Sequence, residues 1–280
     1  MTCMNTSQQS VTERFSRIAA RYDEFSAIPV EVGERLIERL DGLSFQPQRI
    51  LDLGCGTGTH SLALKKRFPD ADVVALDRAR EMLEQAGKHQ GWWKKRFERV
   101  VGDAMRLPLA QSTFDLVHAN LVLHWCEDRE AVLANLRRVL RPGGLALLSC
   151  LGPDSFRELR QAGVAGEVCP ITGAQLADVQ RLGSALTHAG FAEPVLDTDW
   201  LKATYSSEDA LLAELENLGA IQANRPIDIN RPAGHDDEAL ALTWEIVSAS
   251  AWCPEEGQPI RTHQGEEASI PVSSLKVRKR

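Results

Sequence analysis

A chain of 280 residues, 43% hydrophobic and 25% charged, has ordinary globular composition and enough apolar content for a sizeable core. A formal net charge of −7 argues against a general nucleic-acid binder, because phosphate contacts need a concentrated basic face. There is no uncharged apolar run of the roughly 18 residues that a membrane span requires. Met1 to Ser10 also lack the basic head and apolar stretch of a secretory signal. Neither nucleic acid nor membrane is expected as a partner, and the expected location is cytoplasmic.

In chain order, Val11, Phe15, Ile18, Ala19 and Tyr22 have helical spacing over residues 11–23, and Val32, Leu36, Ile37 and Leu40 mark a second helix ending near Gly42. Arg49-Ile50-Leu51-Asp52-Leu53 then reads as a short buried strand running into Gly54-Cys55-Gly56-Thr57-Gly58. A helix with Leu62, Leu64 and Phe68 follows and stops before Pro69. The same beat repeats. Val73 to Leu76, Phe97 to Val101 and Phe114 to His118 read as strands, a helix with Met82 and Leu83 follows the first, and a helix from Ala131 to Leu140 follows the last. Pro142-Gly143-Gly144 predicts a tight turn before a fifth strand, Leu145 to Leu148. Short strands alternating with helices specify βαβ units, hence a parallel sheet covered on both faces.

Past residue 150 the periodicity predicts helix over 153–190, strands at Pro194 to Asp197 and Leu242 to Ala249, and a helix from Glu208 to Gln222 between them. The polar stretch 224–238, with Pro226, Pro232 and Gly234, reads as a loop. The expected organisation is one domain, 1–280: N-terminal helices (1–44), a core (45–150), a helical lid (151–190) and C-terminal strands (191–280). Cys3, Cys55, Cys126, Cys150, Cys169 and Cys253 are scattered, with no Cys-x-x-Cys pair and no histidine cluster nearby. They read as free thiols, and no metal is expected.

Ligands of such sheets lie at the carboxyl ends of the strands. Glycines there let a ligand lie against the backbone. A nicotinamide dehydrogenase is disfavoured: its fingerprint places a third glycine three residues after the second, and that position is Thr59. Asp77 ends the second strand, where a carboxylate can accept both ribose hydroxyl hydrogens; the plainer reading is a turn or helix-capping acid. Asp103 and Ala104 follow the third strand, suited to an adenine edge, and Asn120 and Leu121 follow the fourth.

Leu51 to Gly58, Asp77, Gly102-Asp103-Ala104, Leu107-Pro108, Phe114-Asp115 and Arg138 to Gly144 together resemble the ordered motifs of class I S-adenosyl-L-methionine-dependent methyltransferases over about residues 45–150. The resemblance implies an α/β, Rossmann-like class I methyltransferase fold. Its sheet has seven strands, mostly parallel with the last antiparallel, and a helical lid is inserted after strand five. It implies S-adenosyl-L-methionine as cofactor and S-adenosyl-L-homocysteine as product. On the motif positions it places Tyr22, Asp52, Gly54, Cys55, Gly56, Gly58, Asp77, Arg78, Met82, Asp103, Ala104 and Asn120 at the cofactor.

The flanks narrow the resemblance. Arg14 to Asp23 is similar to the entry helix of small-acceptor methyltransferases. Asn120 to Trp125, Leu151 to Arg160, Ala251-Trp252 and Gly265 to Leu275 resemble the malonyl-acyl-carrier-protein O-methyltransferase family of biotin synthesis. One departure is Ile28-Pro29, where the family often has Leu-Gln. The implied reaction methylates the free carboxylate of a malonyl thioester, on an acyl-carrier protein or coenzyme A. Such a carboxylate has a pKa of roughly 4 and is already ionised, so positioning suffices and no catalytic base is expected. Arg157 and Arg160 could clamp it bidentately, with His124 and Trp125 as further acceptor contacts; as plainer readings the arginines are surface residues and His124 a packing residue. The acidic carrier would meet one of two basic clusters, Lys94, Lys95, Arg96 and Arg99 or the tail Lys276, Arg278, Lys279 and Arg280, although either could be solvated surface alone. Two other functions fit the motifs: a methyltransferase for another small acceptor (a quinone precursor or free carboxylic acid), and a non-catalytic cofactor-binding partner subunit.

Overall fold

The structure, a computed structural model, describes residues 4–90, 96–161, 176–220, 240–255, 257–258, 260–262 and 265–267. Helices α1 (Met4–Ile18), α2 (Tyr22–Phe25) and α3 (Ala27–Glu38) precede the first strand, β1 (Arg49–Leu53). Then come α4 (Thr59–Arg67), β2 (Asp72–Asp77), α5 (Arg80–His89), β3 (Glu98–Val101) and β4 (Phe114–Ala119). A 3-10 turn at Leu123–Trp125 leads to α6 (Arg129–Val139) and β5 (Leu140–Leu151). The chain continues through α7 (Arg157–Gln161), α8 (Val179–His188), β6 (Ala192–Tyr205), α9 (Glu208–Asn217) and β7 (Leu240–Trp252) to the short strands β8 (Ile260–Thr262) and β9 (Gly265–Glu267).

The main sheet runs β3-β2-β1-β4-β5-β7-β6. β1 through β5 are parallel neighbours, and β7 is antiparallel to both β5 and β6. This is the class I methyltransferase sheet that the resemblance implies. β1 sits at its centre, with Leu51 paired to Val74 on one side and Val117 on the other. Ile50, Leu51, Leu116 and Val117 are fully buried, since helices cover both faces and no position on a central strand meets water. Three helices begin on side-chain caps: Asp128 accepts from Ala131 N–H, Asp178 from Arg181 N–H and Ser207 from Ala210 N–H.

Several expectations change. The tight turn expected at 142–144 is an irregularity inside β5, with Gly143 at φ 74. Gly143 N–H donates to Cys253 O and Cys253 N–H to Gly144 O, so the partner strand holds the segment extended. The second helix begins earlier than its apolar spacing suggests, at Ala27, and Pro29 lies in its first turn, where a missing N–H costs nothing. β6 and β7 are far longer than expected and pair from Ala192–Trp252 to Tyr205–Leu240. β5 pairs with β7 only as far as Ile246, so residues 240–245 of β7 project past it and carry Leu242 and Trp244 toward the ligand end of the sheet. Helices α7 and α8 fall in the stretch 151–190 expected as a lid; residues 162–175 and the expected loop 224–238 lie outside the described residues, as do Lys94, Lys95, the basic tail, Cys3 and Cys169. Cys55, Cys126, Cys150 and Cys253 are buried free thiols. No helix among the described residues is long and apolar enough to cross a membrane.

Candidate active site

At the carboxyl ends of β1, β2 and β4 the chain encloses a continuous cavity. Its floor is the loop Gly54 to Gly58, with Gly54, Gly56 and Gly58 at φ 64, 54 and 83, values that residues with a Cβ rarely adopt. A Cβ at Gly54 would lie 2.4 Å from a methyl of Val122, so close approach and backbone angle both demand glycine there. Cys55 contributes backbone: its N–H donates to Leu76 O at 3.0 Å, while its buried thiol is pushed well up by burial and by the charges of Asp77 and Asp52.

Asp77 ends β2 and accepts from Gly56 N–H (2.9 Å) and Ala79 N–H (2.8 Å). Burial raises its carboxyl above the ordinary value, and these backbone donors oppose the rise. Asp103 accepts from Met105 N–H at 2.9 Å and faces Arg78 at 3.6 Å across the cavity's outer end, beside Ala104. Met82 is buried against Ile18, Ala19 and Ala79, and its side chain reaches the cavity wall. Tyr22 lies over the glycine loop, 3.8 Å from where a Cβ of Gly56 would be. Burial first, and then Asp77 and Asp23, push its phenol well above the usual range. Positive-φ backbone, a half-buried carboxylate at the end of β2 and another just after β3 fit a nucleoside with two free ribose hydroxyls. Among the described residues no cluster of His, Cys, Asp or Glu could hold a metal ion.

Asp52 and Asn120 also line the cavity, but their polar atoms are used internally. Asp52 accepts from Ser61 Oγ and from His118 Nδ1. Asn120 donates to Pro29 O at 2.8 Å and accepts from Ser149 Oγ at 2.7 Å. Pro29, the family departure, thus supplies the carbonyl that fixes Asn120. Leu121 follows at φ 55, its N–H bonded to Ser149.

The inner end of the cavity is apolar, walled by Leu151, Phe156, Leu218 and Trp244, with His124 and Trp125 at its side. His124 is buried, and Leu151 N–H donates to its Nδ1 at 3.4 Å. Burial, and then Arg129, lower its pKa to about 3. Trp125 meets Phe15 of α1 edge-on at 5.0 Å. Arg157 and Arg160 are not brought to this lining. Arg157 is half exposed beside Glu158, and Arg160 donates to Ser155 O. Arg99 is likewise occupied, donating to Leu83 O.

Sequence reasoning passed over several residues that build the site. Asp23, next to Tyr22, accepts from Thr57 Oγ1 and pairs with His89 at 3.3 Å, tying α2 to the glycine loop. His118 is a strand residue by pattern, and its bond to Asp52 emerges only once β1 and β4 are paired. Phe156 lies inside the Leu151 to Arg160 motif and Trp244 inside an expected strand, and the sequence singles out neither.

A family model described as "Methyltransferase domain" matches residues 51–148. Relatives named malonyl-acyl-carrier-protein O-methyltransferase include those of Xylella fastidiosa, 39% identical over 96% of each chain, and Legionella pneumophila, 34% identical over 96% of this chain and 98% of its own. That of Gallionella capsiferriformans is 36% identical over 88% and 91%. Among solved structures, the YcgJ protein of Bacillus subtilis aligns with TM-score 0.59 at 17% identity, over 80% of this chain and 99% of its own. The N-methyltransferase NodS of Bradyrhizobium japonicum, in complex with S-adenosyl-L-homocysteine, aligns with TM-score 0.54 at 16% identity, over 88% and 100%. These two likenesses concern the fold alone. With sheet order, glycine loop and relatives of this extent in agreement, the chain belongs to the malonyl-acyl-carrier-protein O-methyltransferase family.

Proposed function

We propose that the protein methylates the free carboxylate of a malonyl thioester, carried on an acyl-carrier protein or on coenzyme A, giving the methyl ester that primes biotin synthesis. The observation that carries this reading is the setting of His124: it lines the cavity beside the apolar wall, buried, with Leu151 N–H donating to its Nδ1. Burial lowers its pKa to about 3, so it is a poor base for a hydroxyl or an ammonium group. A carboxylate, ionised above a pKa of roughly 4, needs no base.

When bound, S-adenosyl-L-methionine supplies a methyl group on a positively charged sulfur. The chain's own residues do the rest. Asp77 accepts hydrogen bonds from the ribose hydroxyls, Asp103 and Ala104 border the adenine, and Gly54 to Gly58 let the cofactor lie on bare backbone. Tyr22 and Met82 close over it, and Asp52 and Asn120 hold the loop and the end of β4 in place from behind.

With Nδ1 accepting from Leu151 N–H, neutral His124 carries its proton on Nε2 and offers one donor to the acceptor. The apolar wall of Leu151, Phe156, Leu218 and Trp244 excludes water, and a carboxylate stripped of hydration is a stronger nucleophile. A neutral donor also suits the reaction better than an arginine. The acceptor loses its negative charge as the ester forms, so a cation would stabilise the starting state more than the transition state.

The test is to incubate the purified protein and cofactor with malonyl-loaded carrier protein, malonyl-coenzyme A and free malonate. Intact mass then shows whether a thioester gains one methyl. Gain on a malonyl thioester is the expected result; gain on free malonate alone, or on none, rejects the reading.

A further inference from the structure

The segment joining β5 to α7, Gly152 to Phe156, is fastened to the projecting end of β7. Gly152 N–H donates to Glu245 O, and Ser155 Oγ both donates to Glu245 O (2.9 Å) and accepts from Glu245 N–H (3.1 Å). Phe156 N–H donates to Thr243 O at 2.6 Å, and Glu158 accepts from both Thr243 N–H and Thr243 Oγ1. The outcome is a phenylalanine at φ 56 with 1% of its surface exposed. A bulky residue keeps left-handed backbone only where its surroundings over-determine it, and such positions cluster at ligand clamps and active sites. The ring meets Trp244 edge-on, with centroids 4.6 Å apart, and both side chains line the acceptor end of the cavity.

Resting on the malonyl reading, we propose that Phe156, backed by Trp244, sets the length of the acyl chain the enzyme accepts. The cofactor's methyl fixes where the carboxylate must arrive, and docking of the carrier fixes how deep its arm reaches. A chain with one further methylene has to buckle between these fixed points, and the volume into which it would buckle is filled by the Phe156 ring. The hydrogen bonds to Thr243 and Glu245 fix the backbone under that ring, and packing on Trp244 holds the ring in place. Succinyl and glutaryl thioesters are therefore rejected although their carboxylates are chemically equivalent to malonate's.

The experiment compares kcat/KM for malonyl-, succinyl- and glutaryl-loaded carrier protein in wild type, Phe156→Ala and Phe156→Leu, with cofactor affinity measured by calorimetry for each. One methylene in an apolar pocket is worth roughly 10- to 200-fold in discrimination. Wild type is expected to prefer malonyl over succinyl in that range. Phe156→Ala is expected to lose at least about tenfold of the preference while still binding cofactor, and Phe156→Leu to move the same way by less. If Phe156→Ala does not fold, as loss of cofactor binding would reveal, Phe156→Leu decides alone. Unchanged preference in a cofactor-binding variant overturns the proposal and leaves the malonyl reading standing. A wild type that esterifies no thioester overturns the malonyl reading, and this proposal with it.

Discussion

Nδ1 of His118 lies 2.8 Å from Oδ1 of Asp52, on residues paired directly across β4 and β1. Both are buried, Ser61 Oγ donates to the other oxygen of Asp52, and His118 Nε2 finds no hydrogen-bond partner among the described residues. The pair ties the central strands together two residues before the glycine loop begins. Removing one partner leaves a buried carboxylate half satisfied, at a cost of about 1–3 kcal/mol. His118→Leu is expected to lower the urea midpoint accordingly and to weaken cofactor binding through the loop. Normal urea stability in this variant would remove the pair from the account.

Asp77 is asked to hold both ribose hydroxyls, and hydrogen bonds to a charged acceptor are worth about 1.5–3 kcal/mol each. Asp77→Ala is therefore expected to weaken cofactor binding by roughly a hundredfold or more, as read by calorimetry. Asp103→Ala is expected to cost less, because its carboxylate is shared with Arg78. Equal losses in the two variants would contradict this ordering.

His60 and His124 titrate far below the ordinary 6.5. Burial, and then His118, lower His60 to about 4; burial, and then Arg129, lower His124 to about 3. Both are neutral in the folded protein at pH 5, whereas the unfolded chain binds protons there. Stability therefore rises with pH through this window and is lost as the pH falls from 6.5 toward 4. Thermal melts should show Tm dropping across that interval. His124→Leu should flatten the slope by up to about 1.4 kcal/mol per pH unit. An unchanged slope would mean that His124 is protonated in the fold.

His124 and Arg157 make opposite predictions for the acceptor. His124 lines the cavity, while Arg157 lies beside Glu158 with its side chain 43% exposed. His124→Leu removes one donor to a charged group, about 1.5–3 kcal/mol or some 10- to 100-fold in kcat/KM for the malonyl thioester. Arg157→Ala is expected to leave both kcat/KM and cofactor affinity near wild type. The reverse pattern would restore the arginine clamp.

What the sequence made legible was local. The Gly54 to Gly58 spacing, the buried β1, β2 and β4 and the acids at the ends of β2 and β3 are written in consecutive residues, and they mark the half of the cavity proposed for the cofactor. The acceptor half depends on segments far apart in the chain. Phe156 adopts its backbone angle because Thr243 and Glu245 hold its neighbours, and Glu158 meets Thr243 across 85 positions. No periodicity carries that information. The motif from Leu151 to Arg160 drew attention to its arginines because carboxylate recognition favours arginine, yet it is the phenylalanine between Ser155 and Arg157 that reaches the cavity. The length of β6 and β7 was hidden for a related reason. β6 alternates between half-buried and exposed positions along most of its length, so its apolar signal is thin, and pairing with β7 is what extends it.

The methyl group is expected to end on the acceptor's terminal carboxylate. Methyl-labelled cofactor, malonyl-loaded carrier protein and the purified chain test it directly, with the labelled carrier then treated with mild base. A carboxyl methyl ester releases its label as methanol, and this release is the predicted result. Label not recovered as methanol, whether it stays on the carrier or leaves with the hydrolysed acyl group, would place the methyl elsewhere than on the carboxylate and would contradict this reading.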